Sequence, residues 1–563
     1  MEVKLKNRIL TVTLLLIASL FLVSLFKNIK YPLLWNDEAE TAMYATRILD
    51  YGYPKIHDGK NVVYLLELPD KRLGMNEIID AWTCVAWGQY YFAAIGVFFA
   101  EKVDDIYSKT AILRIPFAGI GFLGIFIMAL LAACLFRKNL THMLIFLVLF
   151  SLFELLSVSL VLHLREVRSY SINFFLSACL FYSYVNYAGL KKTGTSNYVV
   201  STTLILVLLF NNISVSYFSA AAAIGLFSSF EFFKKRNFKD LAISTLPLFI
   251  SFIAIIPLLT FFDVFRISRE FEKYFGMSSG IHIEHISYIL NFFNKYEFLY
   301  LAIAAKTALV ILRFCLLASV LPKTVLEKTT SVKQKLFLSD FLSLYFVIYI
   351  LAVAKIPYPR VFERYVIGLQ PVLIIILLLD IFMIFELLWR LNNTLARRML
   401  SSLILFFMGI LFMVSLTDKM GLIKNHLYEL FHQYKGPLDF AIPYIKDNYK
   451  NTDSLVIATN YEECSYMYYL NSKVIIGYVG NNLAEDMKAN PDIIIMRKNW
   501  AYTSKEEIFT PFFERNKYVM VSFPVFDYFV NNIPETSFHL FETKMAENDS
   551  QCLAIYLKTT MEQ

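Results

Sequence analysis

Two adjacent carboxylates, Asp37 and Glu38, follow Trp35-Asn36 directly after the first long apolar run. Carboxylates at such an exit are costly unless solvated or partnered. One of them could take the proton of an acceptor hydroxyl or amine, the work of a general base. The competing reading is a solvated loop in which Glu38 caps the next helix. Cations stand at three other places. Arg165 and Arg168 belong to His163-Leu-Arg-Glu-Val-Arg-Ser-Tyr170, with Glu166 as a salt-bridge partner for one of them. Their spacing puts them on one side of a helix, and guanidinium forks match phosphate oxygens. Lys306 and Arg313 lie inside an apolar run. They share a helix face at different depths, and charges in such a run mark function or pair with a neighbouring helix. Arg360 and Arg364, with Tyr358 and Tyr365, open another run, where an interfacial aromatic-basic belt is the alternative. Together these groups describe a cavity rimmed by carboxylates on one side and cations on the others. It suits an anionic amphiphile entering from a membrane and an acceptor entering from outside.

The elements that must hold these residues are membrane helices. The chain has 563 residues, 57% of them hydrophobic, 16% aromatic and 18% charged. A soluble domain carries about 25% charged residues. The mean hydropathy is +0.53. Eleven apolar runs are each long enough to cross a bilayer as helices, at about 9–27, 110–136, 140–163, 170–189, 197–213, 215–233, 240–262, 298–321, 337–355, 361–389 and 398–416. None alternates with the period of two that a barrel strand needs.

The net charge of +7 sits largely in the short loops between these runs and does not indicate nucleic acid binding. With the N-terminus in the cytoplasm, Arg137-Lys138, Lys191-Lys192, Lys234-Lys235-Arg236 and the basic stretches 323–335 and 390–398 all become cytoplasmic. That is what the positive-inside rule requires. The first run reads as an uncleaved span, because no small-residue cleavage site comes after it. An odd number of spans leaves the C-terminus outside, which predicts a multi-pass protein of the plasma (inner) membrane with an extracytoplasmic C-terminal domain.

Two long outer loops are expected, at 28–109 and 262–297. The first contains an aromatic segment, 86–100, that is short for a span and is expected to lie at the membrane interface. The composition changes near residue 418, which divides the chain into a transmembrane domain, 1–418, and an α/β domain, 419–563. Strands are expected at 455–459, 492–496, 518–523 and 552–557, and a helix at 438–449. The six cysteines form no metal-binding spacing.

Several of these motifs resemble the GT-C glycosyltransferases, most closely the protein mannosyltransferase and lipid A aminoarabinose transferase branch. Trp35-Asn-Asp-Glu38-Ala-Glu-Thr-Ala42 with Ala45-Thr-Arg47 is similar to that family's first-loop signature. Ala111-Ile-Leu-Arg114-Ile-Pro116 resembles its second-span entry, Arg165-Glu-Val-Arg168-Ser-Tyr170 its Arg-x-x-Arg-x-Tyr element, and Glu363-Arg364-Tyr365 with Gln370-Pro371 a late element. The ordered set covers about residues 10–390. The resemblance implies a GT-C-like α-helical polytopic fold of about 11–13 transmembrane helices with an extracytoplasmic α/β domain.

It also implies transfer of a sugar, with inversion, from a polyprenyl-phosphate donor to an extracytoplasmic protein, lipid or envelope glycan. By position, Asp37 would be the base, with Glu38 beside it. Arg165, Arg168, Lys306, Arg360 and Arg364 would serve the donor phosphate, and Trp35, Tyr170 and Tyr365 would line the substrate cavity. No cofactor signature is present. Some relatives use a divalent metal, and His282, Glu284 and His285 could supply ligands, although a solvated loop is the simpler reading. Two other functions fit part of the pattern: a transporter or flippase of a lipid-linked anion, which would favour inverted repeats and broken helices, and a non-catalytic scaffold for envelope assembly.

Overall fold

The computed structural model describes residues 2–68, 71–278, 280–318, 330–359, 361–391, 395–433, 435–477, 483–498, 506–527, 546 and 548–559. Each of the eleven expected runs is helical over most of its described residues. In chain order the helices are α1 (Glu2–Phe26), α2 (Asn36–Tyr51), α3 (Gly88–Ala100), α4 (Ile106–Ala133), α5 (Leu140–Leu156), α6 (Leu160–Leu164), α7 (Ser169–Tyr184), α8 (Thr195–Phe210), α9 (Ser214–Lys235), α10 (Phe238–Phe261), α11 (Val264–Phe275), α12 (Ile283–Tyr296), α13 (Leu299–Ala318), α14 (Thr330–Val353), α15 (Gln370–Leu391), α16 (Leu395–Phe431), α17 (Leu438–Asn448) and α18 (Glu463–Leu470), followed by the short α19 (Leu483–Asp486) and α20 (Thr510–Arg515). Among the described residues, seven helices are long and apolar enough to cross a membrane by themselves.

The outward faces of these helices are apolar. Leu5, Ile9, Val12, Leu15, Leu16 and Leu20 of α1 are exposed, as are Phe406, Phe407, Ile410 and Leu411 of α16. A continuous exposed belt of this kind has no place in water and marks the lipid-facing surface of a multi-pass membrane protein. The most buried of these seven is α15, whose Leu373–Leu379 stretch is nearly inaccessible.

The helix ends sort into two groups. Thr141 at the start of α5 bonds Asn7 of α1 at 2.8 Å, Lys335 of α14 pairs with Glu386 of α15 at 2.9 Å, and Lys191 pairs with Asp240 of α10 at 2.9 Å. The basic turns predicted at 137–138, 191–192 and 234–236 belong to this end, and the stretches 323–335 and 390–398 lie in part outside the described residues. The opposite end carries α2, α3, the kink between α6 and α7, and the C-terminal domain.

The helices depart from the expected spans in three places near the candidate residues. Arg165 and Arg168 do not share a helix face, because α6 ends at Leu164 and α7 begins at Ser169, with extended backbone at Arg168. Glu166 turns to His163 at 2.9 Å and makes no ion pair with either arginine. The run expected from 361 becomes helical only at Gln370, after two single-turn 3₁₀ segments, Glu363–Tyr365 and Ile367–Leu369. Pro357 and Pro359 precede them, and Pro371 enters at the first turn, where a missing N–H costs nothing. Finally, α16 continues to Phe431, well past the apolar run.

The segment expected at the interface is α3. Its first residue, Gly88, donates to the Asn211 carbonyl at 2.9 Å, and a Cβ there would meet that oxygen at 2.7 Å. Only glycine permits this approach.

The C-terminal region builds a five-stranded mixed sheet from β1 (Val456–Thr459), β2 (Lys473–Ile476), β3 (Ile493–Ile495), β4 (Tyr518–Phe526) and β5 (Cys552–Lys558), in the order β2-β1-β3-β5-β4. The first three strands are parallel and β5 is antiparallel to β3. Four of these strands fall at the expected positions. Both β2 and α18, not expected from the sequence, complete a parallel β1-α18-β2 unit.

Candidate functional site

Asp37 lies in the first turn of α2, and its carboxylate stands between two guanidinium groups. Arg364 Nη2 is 3.5 Å from Oδ2 and Arg168 Nη2 is 3.7 Å from the same oxygen. Arg168 is anchored to the same helix through the Asp37 carbonyl (3.1 Å) and the Thr41 hydroxyl (3.2 Å), and reaches Glu40 at 3.6 Å. Burial works against the charge on Arg168, but Asp37 and Glu40 more than offset it and hold it protonated. Glu40 is pushed up by burial and by Asp37, while Arg168 and the Tyr90 hydroxyl, which donates to it at 2.8 Å, oppose that shift.

Arg364, on the first 3₁₀ turn before α15, packs its guanidinium between aromatic rings. The centroids of Phe362, Trp35 and Tyr365 lie 4.1, 5.1 and 5.6 Å away. Such stacking holds the fork in place without neutralising it. Trp35 is buried, and its indole N–H has no partner among the described residues.

Arg168 also stands on the wall of a cavity of about 310 Å³, together with Tyr170 and Tyr365. The remaining lining is apolar in large part: Val85, Phe210, Val215, Phe262, Val264, Ile267, Val353 and Ile356. Tyr349 fixes the site end of this wall by donating to the Tyr365 carbonyl at 3.0 Å. Arg168 thus places a cation in a wall that is otherwise largely apolar.

Glu38 has a different environment. It is fully buried and accepts a two-point clamp from Arg114, at 2.9 Å (Nε) and 2.5 Å (Nη2), plus the Val167 N–H at 2.9 Å. Arg114 in turn donates to the carbonyls of Ile29 (3.1 Å) and Pro32 (2.7 Å). This unit ties α4, the α6–α7 kink and the strap before α2 together, directly behind Asp37. Arg165 belongs to the same layer. It is buried, donates to the Lys27 carbonyl at 2.9 Å, and is drawn down to about 10 by burial and by the neighbouring Arg114.

Of the residues expected at the site, Asp37, Arg168, Arg364, Trp35, Tyr170 and Tyr365 come together. Glu38 and Arg165 form the supporting layer. Lys306 lies elsewhere: its ammonium is bonded to Ser339 (2.5 Å) and Asp380 (3.1 Å), with Asp340 at 3.6 Å, inside the helix bundle. Arg313 meets the same Asp340 at 3.4 Å, so the two cations do share a face, but that face is turned to acidic helices. Arg360 lies outside the described residues. His282 and His285 have rings 4.9 Å apart, and among the described residues no three metal-binding side chains converge.

The sequence alone assigned no role to Arg114 or Glu40, although both carried a signal. Arg114 is a lone cation at the mouth of an apolar run. Glu40 is three residues beyond Asp37, on the same helix face.

No family model matches the chain, and no curated protein matches it in sequence. Among solved structures, ArnT from Cupriavidus metallidurans, solved bound to undecaprenyl phosphate, is 10% identical, with 96% of this chain aligned to 97% of that one at a TM-score of 0.49. The oligosaccharyltransferase AglB from Archaeoglobus fulgidus, solved with an inhibitory peptide and a dolichol-phosphate, is 10% identical, with 87% of this chain aligned to 69% of that one at a TM-score of 0.46. The apo form of the Archaeoglobus oligosaccharyltransferase is 11% identical, covering 82% of this chain and 63% of its own at a TM-score of 0.47.

Proposed function

We propose that this protein transfers a sugar from a polyprenyl-phosphate donor to an acceptor at the membrane surface, with inversion at the anomeric carbon. The observation that carries this reading is the Asp37 carboxylate held between Arg168 and Arg364, with Arg168 also on the wall of a largely apolar cavity.

The donor's first prenyl units occupy the cavity, and its phosphate meets Arg168 and Arg364. Each guanidinium is then drawn from Asp37 toward the phosphate oxygens. Asp37, released from part of its pairing and partly exposed, faces the acceptor. It accepts the acceptor's proton as the acceptor oxygen or nitrogen attacks the anomeric carbon from the side opposite the phosphate. The bond to the phosphate oxygen breaks with its electron pair, and the leaving polyprenyl phosphate remains an anion. It needs cations at that point rather than an acid, and two are in place. The indole N–H of Trp35 is a donor available to the sugar or the acceptor. Glu38 and Arg114 set the direction of Asp37 without touching substrate, and Lys306 plays no part in phosphate binding. The site end is the extracytoplasmic one, with the basic helix turns on the cytoplasmic side.

The test is binding of polyprenyl phosphate, compared with the neutral polyprenol, to the protein in nanodiscs. Arg168→Gln and Arg364→Gln should each weaken phosphate binding roughly 10- to 100-fold, the worth of a charged hydrogen bond, and leave polyprenol binding unchanged. Equal affinity for the two lipids in the native protein contradicts the reading. Transport of the phosphate lipid without sugar transfer would replace it with a flippase.

A further inference from the structure

The strap that enters α2 is gripped by the C-terminal domain at nearly every residue. The Leu33 N–H donates to Asp439 Oδ1 at 3.2 Å. The Leu34 N–H donates to the Tyr469 hydroxyl at 3.0 Å, and the Leu34 carbonyl accepts from Ser465 Oγ at 3.0 Å. The Cys464 N–H donates to Asn36 Oδ1 at 3.3 Å. The next residue is Asp37. Three of the four contacts come from α18, and its start is built in an unusual way. Glu462, the residue before it, adopts φ +62°, the left-handed region that a β-carbon disfavours.

That turn is held by Arg497. Its guanidinium pairs with Glu462 and, at 2.5 Å, with Asp527, and all three side chains are 2% exposed or less. The backbone N–H of Arg497 donates to Asn460 Oδ1 at 2.7 Å, and the Asn460 amide returns a bond to the Arg497 carbonyl at 3.1 Å. Tyr461, between these residues, is buried with the Arg497 guanidinium 5.6 Å from its ring. It is held protonated chiefly by burial, then by the negative charges of Glu462 and Asp37. A domain that was only tethered to the membrane part would need neither a strained turn nor a buried charge triad at this contact. Strain of this kind persists where the surrounding structure over-determines a position.

We propose that the C-terminal domain is a positioning element of the reaction: the 460–465 turn, locked by Arg497, sets the direction in which Asp37 faces the acceptor. This rests on Asp37 being the reacting carboxylate. The domain then acts on turnover more than on donor binding, because Arg168 and Arg364 are held by other elements.

The test uses the full-length protein and labelled sugar transfer from polyprenyl phosphate to a membrane extract. Two sets of variants approach the same contact. Ser465→Ala with Tyr469→Phe removes both bonds to Leu34 and leaves the triad whole. Arg497→Lys keeps the charge and removes the fork. Both should lower kcat roughly 10- to 100-fold, the cost of an ångström-scale misplacement, with the donor KM within about 2-fold and the acid limb of the kcat–pH profile displaced. Ser465→Thr, which keeps the hydroxyl, should restore kcat. The inference is overturned if both sets keep native kcat while Asp37→Asn is inactive. It is equally overturned if kcat falls only in proportion to the folded fraction, with the pH profile unmoved. Full activity of Asp37→Asn would overturn this inference together with the base assignment.

Discussion

Replacing Glu38 separates the two neighbouring carboxylates by what each is built to do. The Glu38 side chain has no exposure and that of Arg114 only 5%, and the clamp contains two charged hydrogen bonds with a third from the Val167 N–H. Glu38→Ala leaves a buried guanidinium facing a void, a loss of about 3–5 kcal/mol for breaking a buried pair. Glu38→Gln keeps one acceptor for Arg114 Nε and Val167 but turns an amide N–H₂ toward Arg114 Nη2, so about 2 kcal/mol is expected. Asp37→Asn touches a carboxylate whose side chain is 23% exposed and whose ion contacts are 3.5 and 3.7 Å long, so about 1 kcal/mol or less is at stake. The assay is unfolding of the three variants in one detergent, by thermal or denaturant titration, beside transfer activity. Glu38→Ala should be the least stable by a wide margin, and Asp37→Asn close to native. Native stability of Glu38→Ala, with turnover abolished, would refute the reasoning and make Glu38 a reacting group.

Other consequences come from the same contacts. Lys306→Met strands the fully buried Asp380, whose remaining partner is Ser339 at 2.6 Å. It should cost about 3–5 kcal/mol without changing polyprenyl-phosphate affinity, and Lys306→Met with Asp380→Leu should regain most of the loss. A selective loss of donor affinity would return Lys306 to the phosphate site. Asp439 gives a pH signature, since burial pushes its carboxyl up to about 7 from an ordinary 3.8. The folded chain keeps this proton where the unfolded chain has released it. Its contribution is fully present below pH 3.8 and is lost as pH rises through about 7, a change of about 4 kcal/mol for some three pH units. Asp439→Asn should therefore flatten the fall in stability between about pH 4 and pH 7, and parallel curves for variant and native protein would contradict this.

The helical architecture was legible because a bilayer leaves few alternatives: each run of sufficient length had to be a helix, and each is helical over most of its described residues. Asp37, Arg168 and Arg364 were legible for a related reason. Charges placed where topology gives no cause for them stand out against an apolar background. The depth and direction of a side chain carry no such mark. Glu38 and Asp37 are neighbours in sequence, yet the α-helical turn sends one into a clamp with Arg114 and the other between Arg168 and Arg364. Arg165 and Arg168 part in the same way, since the chain kinks between α6 and α7 where Glu38 accepts the Val167 N–H. Lys306 looked like a phosphate ligand only because Ser339, Asp340 and Asp380 lie on other helices, remote in sequence. The grip of α18 on Leu34 and Asn36 joins positions more than 400 apart, and no local pattern announces it.

The central claim is that Asp37 is the base of a sugar transfer from a polyprenyl-phosphate donor. The most direct measurement tracks radiolabelled polyprenyl-phosphate sugar in native and Asp37→Asn protein, with donor binding recorded in the same preparations. Both should bind the donor with similar affinity, the native protein should move label to an acceptor, and the variant should transfer at least 100-fold more slowly, roughly the lower end of what a positioned base contributes. Transfer at the native rate by Asp37→Asn, or the absence of transfer by native protein that binds the lipid and is supplied with envelope extract, would contradict it.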